Sequence, residues 1–157
     1  MPNDSHDTSM RVLFQFRMVF GAVRSHFQKV EQAVGLGGAQ VWALSVIASQ
    51  PGIGVSQLAQ ALNVRQPTAS NALKALQARG LVIAQKASHD RRVVQLTLTP
   101  EGVDLLSRAP GPPMGVLPAG LMALPPDTLQ RLEQDLQVLI TTLSVSPDAA
   151  QTPLGDL

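Results

Sequence analysis

Short polar side chains gather between residues 65 and 74, where Arg65, Gln66, Thr68, Ser70, Asn71 and Lys74 are interleaved with Pro67, Ala69, Ala72 and Leu73. At helical spacing Ala69, Ala72, Leu73 and Leu76 share one face, so the polar set is left near the other. The amides of Gln66 and Asn71 can each bond two edge atoms of an adenine in the major groove of a duplex, and Ser70 and Thr68 can reach a base or a phosphate. Arg65 and Lys74, at the margins, suit phosphates. A second group, Asp90, Arg91 and Arg92, lies in a polar stretch between two apolar ones. A guanidinium on an exposed turn can enter a minor groove, whose negative potential is strongest where A·T tracts narrow it. Asp90 would be repelled by phosphate, so its work is to bond the loop backbone or to orient an arginine. A polar helix face is ordinary on any surface helix. The weight comes from finding both groups close together in the chain.

Positioning these groups takes a helix-turn-helix and a hairpin, and the flanking sequence reads as both. Ser56 suits the N-cap of a short helix over Gln57 to Leu62, with Leu58, Ala59 and Leu62 inward. Asn63 follows where a left-handed C-cap is wanted, Pro67 fits the first turn of the next helix, and Gly80 ends it. Upstream, Gly38 to Ser49 is predicted to be a buried helix, apolar nearly all round through Val41, Trp42, Leu44, Val46 and Ile47, and stopped by Pro51, Gly52 and Gly54. Downstream, Leu81, Val82 and Ile83 begin one strand and Val93 to Leu98 form a second, with Gln85 to Arg92 as the hairpin loop. Thr99 caps a further helix that Pro100 starts and Glu101 favours by charge. A helix-turn-helix followed directly by a two-stranded hairpin is a winged helix.

The two ends of the chain read differently. Leu13, Phe16, Phe20, Val23, Phe27, Val30 and Val34 are spaced alternately three and four apart, and Leu129, Leu132, Leu136, Leu139 and Leu143 repeat that spacing. Such stripes pack helix on helix, here within one subunit or between two. Pro110, Pro112, Pro113 and Pro118 interrupt what would otherwise be one long helix after Pro100, with a break predicted near Ala109. Residues 1–9 and 145–157 lack any apolar periodicity and are expected to be disordered tails.

Composition removes several alternatives. The chain has 157 residues and no cysteine, which excludes disulfides, thiolate metal sites and a cysteine nucleophile. The three histidines, His6, His26 and His89, have no ligand spacing, and no nucleophile elbow or phosphate-cradling glycine loop appears. No enzyme activity, metal or cofactor is therefore expected. His26 reads as a partly exposed polar residue, and Trp42 as core in preference to pocket wall. The longest charge-free stretches are broken by glycine or proline, so no membrane span is expected, and the N-terminus lacks the apolar run of a signal peptide. The expected location is cytoplasmic. The net charge is only +1, yet residues 55–102 hold six basic and two acidic residues against six and nine elsewhere. A basic middle in an acidic frame suits a polyanion.

The run DRRVVQLTLTPEG, with Asp90, Arg92, Leu98, Thr99 and Gly102, resembles the wing and following helix of MarR-type transcription regulators, and VSQLAQALNVRQPTASNALKALQARGLV is similar to their helix-turn-helix. The resemblance extends over about residues 10 to 145. It implies a homodimer that binds double-stranded DNA at a pseudo-palindromic operator, usually as a repressor. It also implies a small aromatic or phenolic effector held between the dimerisation and DNA-binding regions, and it assigns Arg92 to the minor groove and residues 66 to 74 to the recognition helix. The interrupted helix after Pro100 departs from the family's long continuous one.

The expected fold is thus mainly α with a small antiparallel hairpin, a winged helix-turn-helix dimerising through its N- and C-terminal helices. The expected divisions are a dimerisation helix over 10–36, the winged helix over 37–99 and C-terminal dimerisation helices over 100–144, interrupted near 110–118. Leu13, Phe16, Phe20, Leu132, Leu136 and Leu139 would carry the dimer contact. The alternative is a winged helix that binds another protein instead of DNA.

Overall fold

Helix α1 (Pro2–Val34) carries the first apolar stripe, and the two halves of that stripe meet different surroundings. In the computed structural model, which describes residues 2–154, Val23, Val30 and Val34 are buried, whereas Leu13 and Phe20 are 41% and 61% exposed and Phe16 is half-buried. At a rise of about 1.5 Å per residue the helix runs on the order of 50 Å, so its first half reaches beyond the core. Residues 2–9 are not a disordered tail but the opening turns of α1. Asp4 favours the helix N-terminus by charge, and the hydroxyls of Thr8 and Ser9 donate to the carbonyls of Asp4 and Ser5, each at 2.8 Å. Once the downstream stripe has nucleated the helix, propagation needs little from each added residue. Residue 1 lies outside the described residues.

Helix α2 (Gly38–Ser49) is buried through Val41, Ala43, Leu44, Val46 and Ile47. Helix α3 (Val55–Leu62) starts two residues earlier than its sequence suggests. Its N-cap is Gly54, whose N–H donates to Gln57 Oε1 at 3.1 Å, so Ser56 is helical and does not cap. Asn63 ends α3 in the left-handed region at φ 54° and ψ 45°, and α4 (Gln66–Ala78) follows. Strands β1 (Val82–Lys86) and β2 (Val94–Leu98) pair antiparallel, with Val82 opposite Leu98 and Lys86 opposite Val94. Gln85 and Lys86 therefore belong to the strand, and the loop shrinks to residues 87–93. The Ala87 N–H donating to the Val93 carbonyl at 2.8 Å carries the ladder that far. Ile53 adds a bridge on the other edge, accepting from the Leu96 N–H at 2.9 Å. The Pro51 to Gly54 stretch is thus more than a helix stop. Leu44, Ile47, Leu58, Leu76 and Leu96, from four of these elements, form the centre of the core.

Helix α5 (Pro100–Arg108) leaves the helical region at Ala109, with φ −70° and ψ 134°. Residues 109–115 are irregular before α6 (Val116–Met122), and α7 (Pro126–Leu143) follows. Pro118 does not interrupt the chain as expected. It is the third residue of α6, where its missing N–H would have had no helical acceptor. After α7 the chain is again ordered: Ser146 Oγ accepts from the Asp148 N–H at 3.3 Å and starts a 3₁₀ turn over Pro147–Gln151. The expectation of a disordered tail from 145 thus fails through 154, because a cap, a proline at the first position and an apolar end supply what periodicity did not. Residues 155–157 lie outside the described residues. The stripes of α1 and α7 face each other across an open cleft of about 900 Å³ lined by Leu13, Phe16, Phe20, Leu139 and Leu143, with no close seam between them. Leu132 and Leu136 are half-buried.

The hairpin is tied to its neighbours by one small knot. The Thr99 hydroxyl donates to the Gly80 carbonyl at 2.7 Å and accepts from the Gly102 N–H at 3.0 Å, while the Thr99 N–H donates to the Leu81 carbonyl at 3.0 Å. A Cβ on Gly102 would stand 2.2 Å from that Leu81 carbonyl oxygen, which is backbone and cannot swing away. Gly102→Ala is expected to cost about 1 to 3 kcal/mol of stability, the range of an overpacked core site, read by urea unfolding at equilibrium. A loss below half a kcal/mol would mean that the knot is looser than this geometry.

Candidate nucleic-acid interface

Helix α4 is anchored by Ala69, Leu73 and Leu76, and that anchoring decides which side chains it offers outward. Asn71 and Lys74 are exposed on the opposite face beside Pro67. The other members of the expected set are placed less freely. Gln66 is exposed, and its Oε1 accepts from the Ser56 hydroxyl at 3.3 Å, which tethers the side chain to α3 and leaves its NH₂ available. Ser70 is half-buried on the same side. Thr68, also half-buried, lines a cavity next to Ala69 and Ala72 and does not stand on the outward ridge. Arg65, the residue preceding α4, forms an ion pair with Asp148 of the C-terminal turn.

The wing tip, Ser88 to Val93, is exposed throughout. Asp90 Oδ1 accepts from the Arg92 N–H at 2.9 Å, and the Asp90 carbonyl accepts from the Val93 N–H at 3.1 Å. Of the two tasks the sequence left open for Asp90, the carboxylate performs backbone bonding. Among the described residues neither Arg91 nor Arg92 has an acidic partner, so both guanidiniums are available. Not every basic residue of the middle segment is. Arg79 Nη1 donates to the Gly35 carbonyl at 2.6 Å and fastens the end of α4 to the turn between α1 and α2.

A cavity of about 320 Å³ opens behind α4. Phe27, Trp42, Asn63 and Leu121 contribute to its walls, and Pro153 and Leu154 of the C-terminal segment form one side. Trp42 is therefore half-buried against the core and a pocket wall at once. Beyond the effector that the family resemblance implies, no residue pattern marks these walls, because they come from elements far apart in the chain and are apolar like the core itself. His26 departs from its expected partial exposure and is buried on α1, with its ring 5.6 Å from that of Phe27. Desolvation by burial lowers its pKa and the nearby Lys29 charge adds to this, while a hydrogen bond to the Pro112 carbonyl opposes them. No helix among the described residues is long and apolar enough to cross a membrane.

Comparison with known proteins agrees with this geometry. Residues 34–93 match the family model described as MarR family. The chain is 37% identical over 65 residues to a protein of Thauera aromatica named as a transcriptional regulatory protein for the hcr operon, a match covering 41% of this chain and 39% of that protein. Among solved structures, a MepR-like protein complexed with pseudoligands superposes with a TM-score of 0.57 at 18% identity, covering 91% of this chain and 97% of the other. A mutant of MepR from S. aureus bound to an oligodeoxyribonucleotide gives 0.52 at 21% identity, with 84% and 97% covered. The fold is a winged helix shared with these structures, and the matched segment coincides with the helix-turn-helix and most of the hairpin. The segment 34–93 is similar to the MarR family, and the chain spans well under half the length of the curated relative it matches.

The burial of His26 has a pH consequence. Because the fold favours the neutral ring, below the ordinary value of 6.5 the unfolded chain takes up a proton that the folded chain resists. The stabilising preference is complete above that value and is lost as the pH falls from it toward the lowered folded value. Thermal unfolding of wild type should therefore show a decline between about pH 7 and pH 5 that His26→Gln flattens. Equal slopes for the two proteins would remove His26 from the acid sensitivity of the fold.

Proposed function

We propose that the protein is a homodimeric, sequence-specific DNA-binding transcriptional regulator that represses from a pseudo-palindromic operator and answers to a small aromatic ligand. The observation that carries this reading is the pairing of an outward α4 ridge, Asn71 and Lys74, with a wing tip whose Arg91 and Arg92 have no acidic partner among the described residues. Helix α4 enters the major groove. Asn71 reads an adenine edge, with Gln66 and Ser70 beside it, and Lys74 and Arg65 hold phosphates. Thr68 steadies the helix from the cavity side. Arg91 and Arg92 reach the minor groove from a loop that Asp90 shapes. A fold neighbour, MepR, is known bound to an oligodeoxyribonucleotide, which supports the duplex as partner.

The dimer rests on apolar surface that a single chain leaves open. Phe14, Met18 and Phe20 are each about 60% exposed, and Leu13, Phe16 and Leu139 line the open cleft between α1 and α7. An apolar surface of this kind marks an interface. The ligand reading rests on the apolar cavity behind α4 and on a fold neighbour complexed with pseudoligands.

Titrating the protein against its own upstream DNA at several salt concentrations tests the proposal. With about three to five phosphate contacts per subunit, the log-log slope of affinity against salt should be on the order of −5 to −9. A flat response would favour a winged helix that binds another protein. Arg92→Ala should weaken sites with A·T-rich flanks, and unchanged affinity there would take Arg92 out of the minor groove. Asn71→Ala should relax preference by about 1 to 3 kcal/mol at one base pair of each half-site, with half-sites about 10 base pairs apart. Uniform weakening across all sequences would mean that Asn71 only positions the helix.

A further inference from the structure

The C-terminal segment touches two parts of the molecule that matter to DNA binding, and no periodic apolar pattern explains why it should be ordered at all. After α7 ends at Ser144, in the left-handed region with φ 54°, the chain folds back as the turn Pro147–Gln151. Asp148 reaches Arg65 across 83 positions of sequence, and Pro153 and Leu154 close one side of the cavity that Trp42 and Thr68 line. One segment thus bridges the residue that precedes α4 and the hollow behind it.

We propose that this C-terminal segment is an autoinhibitory strap: docked in the mouth of the cavity, it holds Asp148 against Arg65 and withholds that guanidinium from phosphate. The inference rests on the DNA-binding reading of α4. The ion pair alone could not hold the strap, because both partners are largely exposed, at 60% and 72%, and exposed pairs are worth about 0 to 1 kcal/mol. Pro153, half-buried, and Leu154, still 37% exposed at the cavity mouth, supply the remainder through partial apolar burial. Their modest size suits a device that must open, since a segment held by one exposed pair and two apolar side chains detaches without unfolding anything else. The negative charge of Asp148 adds repulsion toward an approaching phosphate backbone. A duplex and the strap therefore compete for Arg65, and each weakens the hold of the other.

The absence of cysteine makes the test clean, because Ala149→Cys carries a single nitroxide label in the full-length chain. Paramagnetic broadening of the Trp42 indole N–H and of the backbone amides around Arg65 is expected, and Leu154→Glu in the same chain should lift it, since a carboxylate will not enter the apolar mouth. Absence of broadening, or broadening that Leu154→Glu leaves intact, overturns the docking. Asp148→Asn removes the carboxylate without shortening the chain. In a dimer, freeing two Arg65 side chains should steepen the log-log salt slope by about 2, so that the advantage of Asp148→Asn over wild type shrinks roughly tenfold between 50 and 200 mM salt. Equal affinity and equal slope for the two proteins overturn the masking of Arg65. If neither protein binds any duplex, the DNA-binding reading falls and takes the inhibitory role with it, while the broadening still decides whether the strap docks.

Discussion

The burial of Ala69, Leu73 and Leu76 is the constraint on which the rest of the molecule depends. Those side chains fix the rotation of α4 about its own axis, and with it the direction in which Asn71 and Lys74 point. The same core contains Leu96 of β2, which is fully buried, so α4 and the hairpin are anchored in one packed unit. Interiors packed this tightly change arrangement in steps and not by gradual give. Thr99 reinforces the arrangement by bonding to Gly80 and Gly102 at once, which joins the end of α4, the base of the hairpin and the start of α5 around a single hydroxyl.

Much of this was legible because its physics is local. Asn63, Pro67, Gly80 and Thr99 each announce a helix boundary through backbone geometry that few other residues supply, and the end of α3, both ends of α4 and the start of α5 lie where those signals put them. The failures share a cause. Gly54 caps α3 through the side chain of Gln57, an interaction that an N-cap preference for serine obscures. Pro118 breaks a helix only if it stands past the first turn, and α6 begins just before it, after Gly115 at φ 99°. The burial of His26, the cavity and the order of the C-terminal turn all arise from segments remote in sequence meeting in space, and no local pattern encodes that meeting. Of the candidate interface, Asn71, Lys74, Arg91 and Arg92 are exposed, whereas Arg65 and Thr68 are turned to other partners by a residue some eighty positions away or by the hollow behind the helix.

The apolar stripe on α1 shows how one sequence pattern can serve two ends. Its spacing is uniform from Leu13 to Val34, but only Val23, Val30 and Val34 find the core of their own chain. Phe20 is left 61% exposed, and an aromatic side chain in water forfeits a contribution of about 1.5 to 3 kcal/mol that burial would bring. Several such residues on one helix are a poor design for an isolated chain and a sound one for a chain that meets another.

The break after Arg108 bears on how the two ends of the molecule communicate. A continuous helix would carry any displacement of the winged helix rigidly to α7, but the extended backbone at Ala109 and the irregular residues up to Gly115 cannot act as a lever. What remains continuous between the two regions is α1, which is helical throughout, and the set of walls around the cavity, to which α1, α2, α4, α6 and the C-terminal segment all contribute. Coupling requires a part with two arrangements that both sites can bias. The core beneath α4 is too well packed to be that part, and α1 is a single rod. On the proposed ligand reading, the walls of the cavity, which meet directly behind α4, are the place where a small change in contacts alters what α4 presents.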